Sequence, residues 1–350
     1  MKSKLSTYEK QLNKLLSTIE VTSSSSYKIE EELIKVYQQN PCYNYFKSLS
    51  DFGQHEQADA TLIRKQLHQH LSNTLYTRFY CGVDKEDVNL KLPDNRERNA
   101  FMKNLSLRNN SLQNLDKRWV IYSIDNNGVM YAEKNGDLRP VIPNTYTTES
   151  EEAVMEVGQN INFYRQKEKF DVQPVFYYVF GNEYLTNDCD KIRVYWNISP
   201  EAAGDLVHEI TSVLNKYRIP FHFKCLNHPD LYKRNDSAVL YINVEHLSIV
   251  SLLIKPIITV LKQSLVNRIP LFTKKIAPGV SIAEDPGLGQ SFGMNRSELI
   301  AESLIKAKED AIDDIIARNL FVKQFLMNNG ISIKRIYLNP HSNELIFEKI

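Results

Sequence analysis

Two short segments of the sequence place cationic and proton-carrying side chains at strand spacing. Arg193 and Tyr195 alternate with apolar residues in the first segment, and His222 and Lys224 do so in the second. Successive side chains of a β-strand point to opposite faces, so each pair is predicted to share one face of its strand. A face with these residue types suits an anionic ligand, and it could also transfer protons.

Each of these side chains has a chemical role to offer and a plainer alternative. A partly desolvated lysine beside other cations can act as a base, so Lys224 is the candidate base and His222 the candidate acid. Arg193 could hold a phosphate or carboxylate through two parallel hydrogen bonds, with Tyr195 beside it. From the spacing alone, the His222–Lys224 pair could equally be the solvated side of an edge strand, and Arg193 could belong to a structural ion pair.

Further candidate contacts for an anion lie outside these two strands. Arg234 stands in an Arg-Asn-Asp segment, where a turn with a local ion pair is the alternative. The glycine-rich segment 286–293 precedes a predicted helix, with Arg296 after it and Lys274 upstream. Backbone N–H groups before a helix can bind an anion, but this segment lacks the Lys-Ser/Thr of a phosphate-binding loop and the strand context of a dinucleotide fingerprint. A plain surface loop is the alternative there.

The first 72 residues are predicted to be a helical N-terminal region. Regularly spaced leucines indicate a first helix, and the pattern favours a second helix over about 29–39 and a third over about 58–75. A short strand-like segment, 76–80, follows. As a strand it would put Arg78 and Tyr80 on one face.

From about residue 118 the pattern becomes rich in strands. Asn-Asn-Gly between two apolar segments predicts a hairpin, and Ser199-Pro200 predicts the start of a helix between the Arg193 and His222 strands. These two strands would be parallel and could be neighbours. The remaining predicted elements are strands at 175–180 and 237–242, helices at 247–266 and from 297 to about 318, a loop over 270–296, and a terminal hairpin of 333–338 with 345–347.

Together the elements predict an α+β fold, with a helical N-terminal part packed on a mixed β-sheet that has flanking helices. The predicted division is a helical region over 1–72, an α+β domain over 73–318, and a C-terminal helix end and hairpin over 319–350. Within this fold the 191–225 segment would position the candidate chemistry.

The composition restricts the classes of function. The net charge is +1 among 24% charged residues, so no overall field would recruit nucleic acid or an anionic membrane. The four cysteines form no CxxC pair, the histidines show no metal-ligand spacing, and no GxSxG motif occurs. We therefore expect no metal, no cofactor and no serine-hydrolase site. The absence of an apolar N-terminal segment predicts a cytoplasmic protein, or one exported through a specialised system.

Several of these segments together resemble the HopA1 family. The resemblance covers roughly 75–310 and includes Tyr76–Tyr80. It is carried by Val175-Phe-Tyr-Tyr-Val-Phe180, Ile192-Arg-Val-Tyr-Trp-Asn-Ile-Ser-Pro-Glu201, Pro220-Phe-His-Phe-Lys224, Arg234-Asn-Asp-Ser-Ala-Val-Leu-Tyr241, Leu271-Phe-Thr-Lys274, Pro278-Gly-Val280 and Ala283-Glu-Asp-Pro286 through Ser291-Phe-Gly293 to Arg296.

The resemblance implies either an effector or a biosynthetic protein. The family is named after a type III secreted effector of plant pathogens, and similar domains occur in class V lanthipeptide and thioamitide biosynthesis. In that biosynthesis the resemblance implies a kinase-like partner that phosphorylates Ser or Thr of a precursor peptide. The HopA1-like protein then helps to eliminate the phosphate to give a dehydroamino acid.

The residues match that chemistry by type, although no catalytic motif of the family is carried over. The predicted lyase would use Lys224 and His222 for proton transfer. It would bind substrate through Arg193, Tyr195, Arg78, Tyr80, Arg234, Lys274 and Arg296. The alternative is a non-catalytic effector-like or peptide-binding protein that uses the same cationic groove, so the sequence leaves open whether the protein is an enzyme.

Overall fold

The structure, a computed structural model, describes residues 5–36, 56–84, 94–148, 155–186, 189–287, 289–342 and 347. The chain forms two compact units. The first unit comprises residues 1–90, 270–274 and 283–343, and the second comprises 91–269, 275–282 and 344–350. The chain combines helices with antiparallel sheets, which confirms the predicted α+β class.

The first unit combines helices with a small three-stranded sheet. Its helices are α1 (Thr7–Thr18), α2 (Glu56–Thr74), a π-helical segment (Leu75–Tyr80) and two C-terminal helices described below. The strands β1 (Ile19–Ser23), β2 (Ser26–Ile29) and β3 (Glu32–Lys35) pair in sequence order. The helix predicted over 29–39 is therefore wrong as far as residue 36. Glu30 adopts a φ of +54° in the turn between β2 and β3, which ends any helical path there.

The segment predicted as a strand at 76–80 is also helical. Tyr76 and Tyr80 stack with ring centroids 5.4 Å apart, a contact that i, i+4 spacing allows on a helix. Residues two apart on a helix do not face each other, so Arg78 and Tyr80 point in different directions. Arg78 lies 3.5 Å from the carboxylate of Glu32, whereas Tyr80 is buried against Phe292.

The C-terminal part contains two helices instead of one. The helix predicted from 297 to about 318 is divided into α6 (Phe292–Glu309) and α7 (Ile315–Asn328). Ala311 has a φ of +56°, and Asp314 caps the new helix by accepting hydrogen bonds from two backbone N–H groups. The predicted terminal hairpin is wrong at 333–338, which forms turns, and its other part at 345–346 lies outside the described residues.

The second unit is built around a seven-stranded sheet. Its strand order is β14-β15-β11-β13-β12-β10-β9. The strands are β9 (Glu168–Gln173), β10 (Phe176–Phe180), β11 (Lys191–Trp196), β12 (His222–Leu226), β13 (Ala238–Asn243), β14 (Lys274–Ala277) and β15 (Val280–Glu284). The hairpin of β14 and β15 replaces the loop predicted over 270–296.

Among its described residues, the second unit also contains three helices. They are α3 (Asn95–Arg108), α4 (Ala203–Lys216) and α5 (Leu247–Val260). One face of the seven-stranded sheet is apolar and buried, with Ile192, Val194 and Trp196 of β11 at 0–1% exposure. The apolar sides of α4 and α5 are buried as well, as expected of a helix layer on a sheet.

A five-stranded sheet completes the second unit. Its order is β6-β5-β4-β8-β7, and its strands are β4 (Asn114–Ile124), β5 (Met130–Lys134), β6 (Asp137–Pro140), β7 (Tyr146–Thr148) and β8 (Asn160–Arg165). The β4–β5 pair confirms the predicted hairpin. Trp119, Ile121, Ile161 and Phe163 form a separate small core on one face of this sheet.

The strands predicted at 175–180 and 237–242, and those predicted around Arg193 and His222, are all confirmed, but their order differs from the prediction. β13 lies between β11 and β12 and is antiparallel to both. The Arg193 and His222 strands are therefore parallel to each other without being neighbours. In the sequence β13 follows β12, whereas in the sheet it lies between β11 and β12. The spacing of residues along the sequence does not reveal this strand order.

The turn between β14 and β15 depends on Gly279. Its φ is +73°, and an added Cβ would lie 2.7 Å from the backbone oxygen of Val266 and 3.0 Å from that of Asn197. Gly128 has a similar φ of +78° with no atom within 4 Å of an added Cβ. Replacing each glycine by alanine therefore distinguishes two contributions to the loss of stability. At Gly128 only the positive φ contributes, and at Gly279 the close contact contributes as well.

We expect Gly279→Ala to lower the free energy of unfolding by about 2–4 kcal/mol, because both a strained φ and a backbone clash are imposed. The control Gly128→Ala is expected to cost only about 1 kcal/mol, from the φ alone. Urea unfolding followed by tryptophan fluorescence measures both. Equal losses in the two variants would contradict the close contact at Gly279.

Candidate functional site

The four residues predicted for the chemistry lie on one face of the seven-stranded sheet. Arg193 is paired with Tyr241, which is paired on its other side with His222. Two residues further along the strands, Val239 of β13 is paired with Tyr195 of β11 on one side and with Lys224 of β12 on the other. Directly paired residues of adjacent strands share a face, so β13 places Arg193 and Tyr195 on the same face as His222 and Lys224.

Lys224 lies among aromatic rings. Its Nζ is 4.1 Å from the ring centroid of Phe176, 5.6 Å from that of Tyr178 and 5.9 Å from that of Tyr241. It also donates a hydrogen bond of 3.1 Å to Oε1 of Gln173. Ring faces attract an ammonium ion while displacing water from it, so this lysine is held in a defined, partly desolvated position.

Arg193 shares an aromatic contact with Lys224. Its Cζ is 5.1 Å from the ring centroid of Tyr241, and the residue is 6% exposed. Burial raises the pKa of Tyr178 to about 12, although the charge of Arg193 acts in the opposite direction. Tyr195 is buried on the same face at 2% exposure. Two cations and several tyrosines therefore meet on this surface, which we name the cationic face: Arg193, Tyr195, His222, Lys224, Tyr178 and Tyr241.

His222 has an environment that keeps its imidazole uncharged. Its ring meets Phe180 edge-on, with centroids 5.0 Å apart. Desolvation by burial lowers the pKa of His222 to about 3, and the positive charges of Arg165 and Lys191 contribute to the same direction. A neutral imidazole holds no extra proton near pH 7. The environment therefore disfavours the acid role predicted for His222.

Arg234 lies at the edge of the cationic face in an ion pair. Its Nε and Nη2 each lie 2.9 Å from a carboxylate oxygen of Asp236, which is the local pair that the sequence offered as an alternative. Its Cζ is 5.9 Å from the ring centroid of Phe176, the ring that Lys224 also contacts. The guanidinium is thus near the lysine, but its charge is largely balanced by Asp236.

Of the other four predicted contacts, Arg78, Tyr80 and Arg296 lie in the first unit, whereas Lys274 begins β14 at the edge of the seven-stranded sheet. Arg296 is 2% exposed and donates hydrogen bonds to the backbone oxygens of Ile336 and Leu338, so it holds the chain after α7 in place. Lys274 lies 6.0 Å from the ring centroid of Tyr337. Arg78 and Tyr80 are on the π-helical segment. In the glycine-rich segment, Ser291 caps α6 by accepting a hydrogen bond from the N–H of Met294.

Sequence reasoning missed the aromatic residues of this surface. Phe176, Tyr178 and Phe180 alternate along β10, so their shared face could have been found from the period of two. The continuous aromatic stretch predicted a strand at 175–180 without indicating which of its rings share a face with the candidate residues. Tyr241 gave no such signal, because its position between Arg193 and His222 depends on strand order.

No group of three or more potential metal ligands occurs in the part of the chain that the structure describes. Among the same residues, no helix is both long and apolar enough to cross a membrane.

A comparison with protein families supports the family resemblance. Residues 168–338 match the HopA1 effector protein family, and this range includes the cationic face. An effector structure from Pseudomonas syringae pv. tomato strain DC3000 is 18% identical with a TM-score of 0.42, over 79% of this chain and 99% of that one. An effector structure from Pseudomonas syringae pv. syringae strain 61 is 15% identical with a TM-score of 0.43, over 79% and 96%. No protein of curated function matches the chain.

The low pKa of His222 predicts a specific acid sensitivity. As the pH falls below about 6.5, the histidine at position 222 is protonated in the unfolded chain, whereas in the folded protein it stays neutral until about pH 3. The free energy of unfolding therefore falls as the pH decreases from about 6.5 to about 3. We expect His222→Gln to remove up to roughly 2.5 kcal/mol of the loss between pH 7 and pH 4.5, since each pH unit below 6.5 costs at most about 1.4 kcal/mol. Urea unfolding at the two pH values measures it, with the exposed His341→Gln as control. An equal pH dependence in wild type and His222→Gln would show that His222 titrates normally.

Proposed function

We propose that this chain, whose residues 168–338 match the HopA1 effector family, binds a phosphorylated peptide at the cationic face and eliminates phosphate from phosphoserine or phosphothreonine. The product would be a peptide with a dehydroamino acid. A kinase-like protein would supply the phosphorylated precursor, and both would act in the cytoplasm.

The observation that carries the proposal is the placement of Arg193 and Lys224 around one ring. Their charged groups lie 5.1 Å and 5.9 Å from the centroid of Tyr241, on the same face of the sheet. Two cations next to each other on a partly desolvated aromatic surface attract a dianion more strongly than either would in water. A phosphate ester is the anion that suits an arginine fork beside a point-charge ammonium.

The elimination can be written with all protons and electrons balanced. Lys224, in its uncharged form, removes the proton from Cα of the phosphorylated residue, and the C–H electrons form the Cα–Cβ double bond. The Cβ–O bond breaks, and its electron pair leaves with the phosphate. The leaving phosphate takes one proton from an acid on the cationic face, and the proton taken by Lys224 then restores that acid. The products are the dehydroamino acid and hydrogen phosphate, and both the lysine and the acid are restored.

The acid in this scheme is assigned to a tyrosine in place of His222. Because burial raises the pKa of Tyr178 to about 12, its hydroxyl keeps its proton at neutral pH and can donate to the leaving oxygen. Arg193 would stabilise the charge that develops on the phosphate as the Cβ–O bond breaks. His222, held neutral, would serve as a hydrogen-bonding group on the same face.

The second candidate function is a non-catalytic, effector-like peptide-binding protein. The contacts of Lys224 with three rings and with Gln173 favour it, because ring faces and an amide oxygen stabilise a charged ammonium, which binds anions but is not a base. Under this function Arg193 and Lys224 would bind the phosphate or another acidic group without proton transfer.

Incubation of the full chain with a phosphothreonine peptide tests the two functions. We expect mass spectrometry to show loss of phosphoric acid, and Lys224→Met to reduce the rate at least about 100-fold, the range for a lost general base. The control Lys255→Met changes an exposed lysine of α5 in the same unit and should leave the rate unchanged.

Peptide binding, measured by fluorescence anisotropy, separates the outcomes. Unchanged peptide in the presence of a cognate kinase, together with binding that Arg193→Lys weakens, would overturn the lyase and support the binding protein. Neither turnover nor binding would overturn both functions.

A further inference from the structure

A cavity of about 580 Å³ lies within the second unit, bordered by both of its sheets. Arg139 and Asp116 line it from the five-stranded sheet, and His222 and Phe180 line it from the seven-stranded sheet. Its volume is in the range that holds a small organic molecule. Two of its lining side chains have polar atoms that the protein itself leaves unsatisfied.

Arg139 packs against aromatic rings. Its Cζ lies 4.3 Å from the ring centroid of Phe163 and 5.4 Å from that of Trp119. Register places Arg139 opposite Ala132, on the same face as the small core of this sheet. Within the described residues, its guanidinium makes no hydrogen bond and no ion pair. Its N–H donors are therefore oriented by packing and available to a ligand.

Arg165 lines the same cavity and shows the contrast. Its guanidinium donates to the backbone oxygens of Gly181, Asn182 and Glu183 at distances of 2.5–3.3 Å. These bonds fix the chain after β10, so Nη1 and Nη2 of Arg165 are engaged with the backbone while the side chain contributes charge to the cavity. Among the described residues, Arg139 is the cavity guanidinium with no such bonds.

Asp116 is the second unsatisfied group. The residue is 5% exposed, and its Oδ1 lies 2.6 Å from Nζ of Lys134. Its other oxygen, Oδ2, is buried and has no hydrogen-bond partner in the described part of the chain. A buried carboxylate oxygen without a donor is costly, so a ligand hydroxyl there would be favourable. An ammonium group would be opposed by Lys134 and Arg165.

We propose that this cavity binds a small organic acid that carries a hydroxyl group, with its carboxylate on Arg139 and its hydroxyl directed to Asp116. The rings of Phe180 and Tyr184 line the cavity and would pack against an apolar or aromatic body of the ligand. The cavity shares only His222 with the cationic face, so this site does not depend on the proposed elimination.

Three matched probes test the site on the full chain by isothermal titration calorimetry: phenyllactate, phenylpropionate, which lacks the hydroxyl, and phenylpropanol, which lacks the carboxylate. We expect phenyllactate to bind, phenylpropionate to bind more weakly and phenylpropanol not to bind. Phenyllactate should also shift the imidazole signals of His222 in NMR spectra, because that ring lines the cavity.

Variants then assign the contacts. Arg139→Gln is expected to weaken phenyllactate at least about tenfold, the effect of a lost charge-assisted pair. The exposed Arg268→Gln of the same unit should leave binding unchanged. Asp116→Asn should lower the affinity of the protein for phenyllactate to its affinity for phenylpropionate. Circular dichroism checks that the Arg139→Gln and Asp116→Asn variants are folded.

The proposal is overturned if wild type binds none of the probes, or if the three bind equally. It is also overturned if Arg139→Gln is folded and keeps full affinity. Should Arg139→Gln not fold, Arg139→Lys retains the charge but loses the fork, and undiminished affinity in that variant would equally contradict the arginine contact.

Discussion

The position of β13 between β11 and β12 is the constraint on which the rest of the second unit depends. Its register aligns Arg193, Tyr241 and His222 in one row and Tyr195, Val239 and Lys224 in the next. Because side chains alternate along a strand, a slip of one residue would move a whole set to the opposite face. That face is apolar and buried, so the cost of placing Arg193 or Lys224 there holds the register in place.

Desolvation then gives these side chains different properties on one surface. It keeps His222 neutral and Tyr178 protonated, since burial penalises the charged form of each group. The desolvation cost of the Lys224 ammonium group is partly offset, because three aromatic rings and Gln173 replace the water around it. The same face therefore carries the ammonium group of Lys224, the uncharged imidazole of His222 and the protonated phenol of Tyr178. This combination suits a phosphorylated peptide.

Arginines in this chain divide into structural and ligand-facing groups according to their partners. Arg165 and Arg296 donate to backbone oxygens, and Arg234 is paired with Asp236. These side chains stabilise loops and segments that follow strands or helices. Arg139, which packs on Phe163 and Trp119, is positioned without consuming its donors. As far as the described residues show, this guanidinium is held only by stacking, which distinguishes the cavity of the second unit from the ordinary ion pairs of the surface.

Local features that depend on a short period could be predicted from the sequence. The alternation at Arg193–Tyr195 and His222–Lys224, the β4–β5 hairpin and the helix after Ser199-Pro200 all follow from side-chain period and turn chemistry, and the structure has them. Periodicity failed where a single backbone angle decides the path, as at Glu30 and Ala311, and at Tyr76–Tyr80, where packing continues a helix through β-prone residues. Only the tertiary structure decided that β13 separates the two strands, that Tyr241 joins Arg193 to Lys224, and that His222 is neutral. Strand order and burial arise from contacts between residues far apart in the chain, which no local pattern encodes.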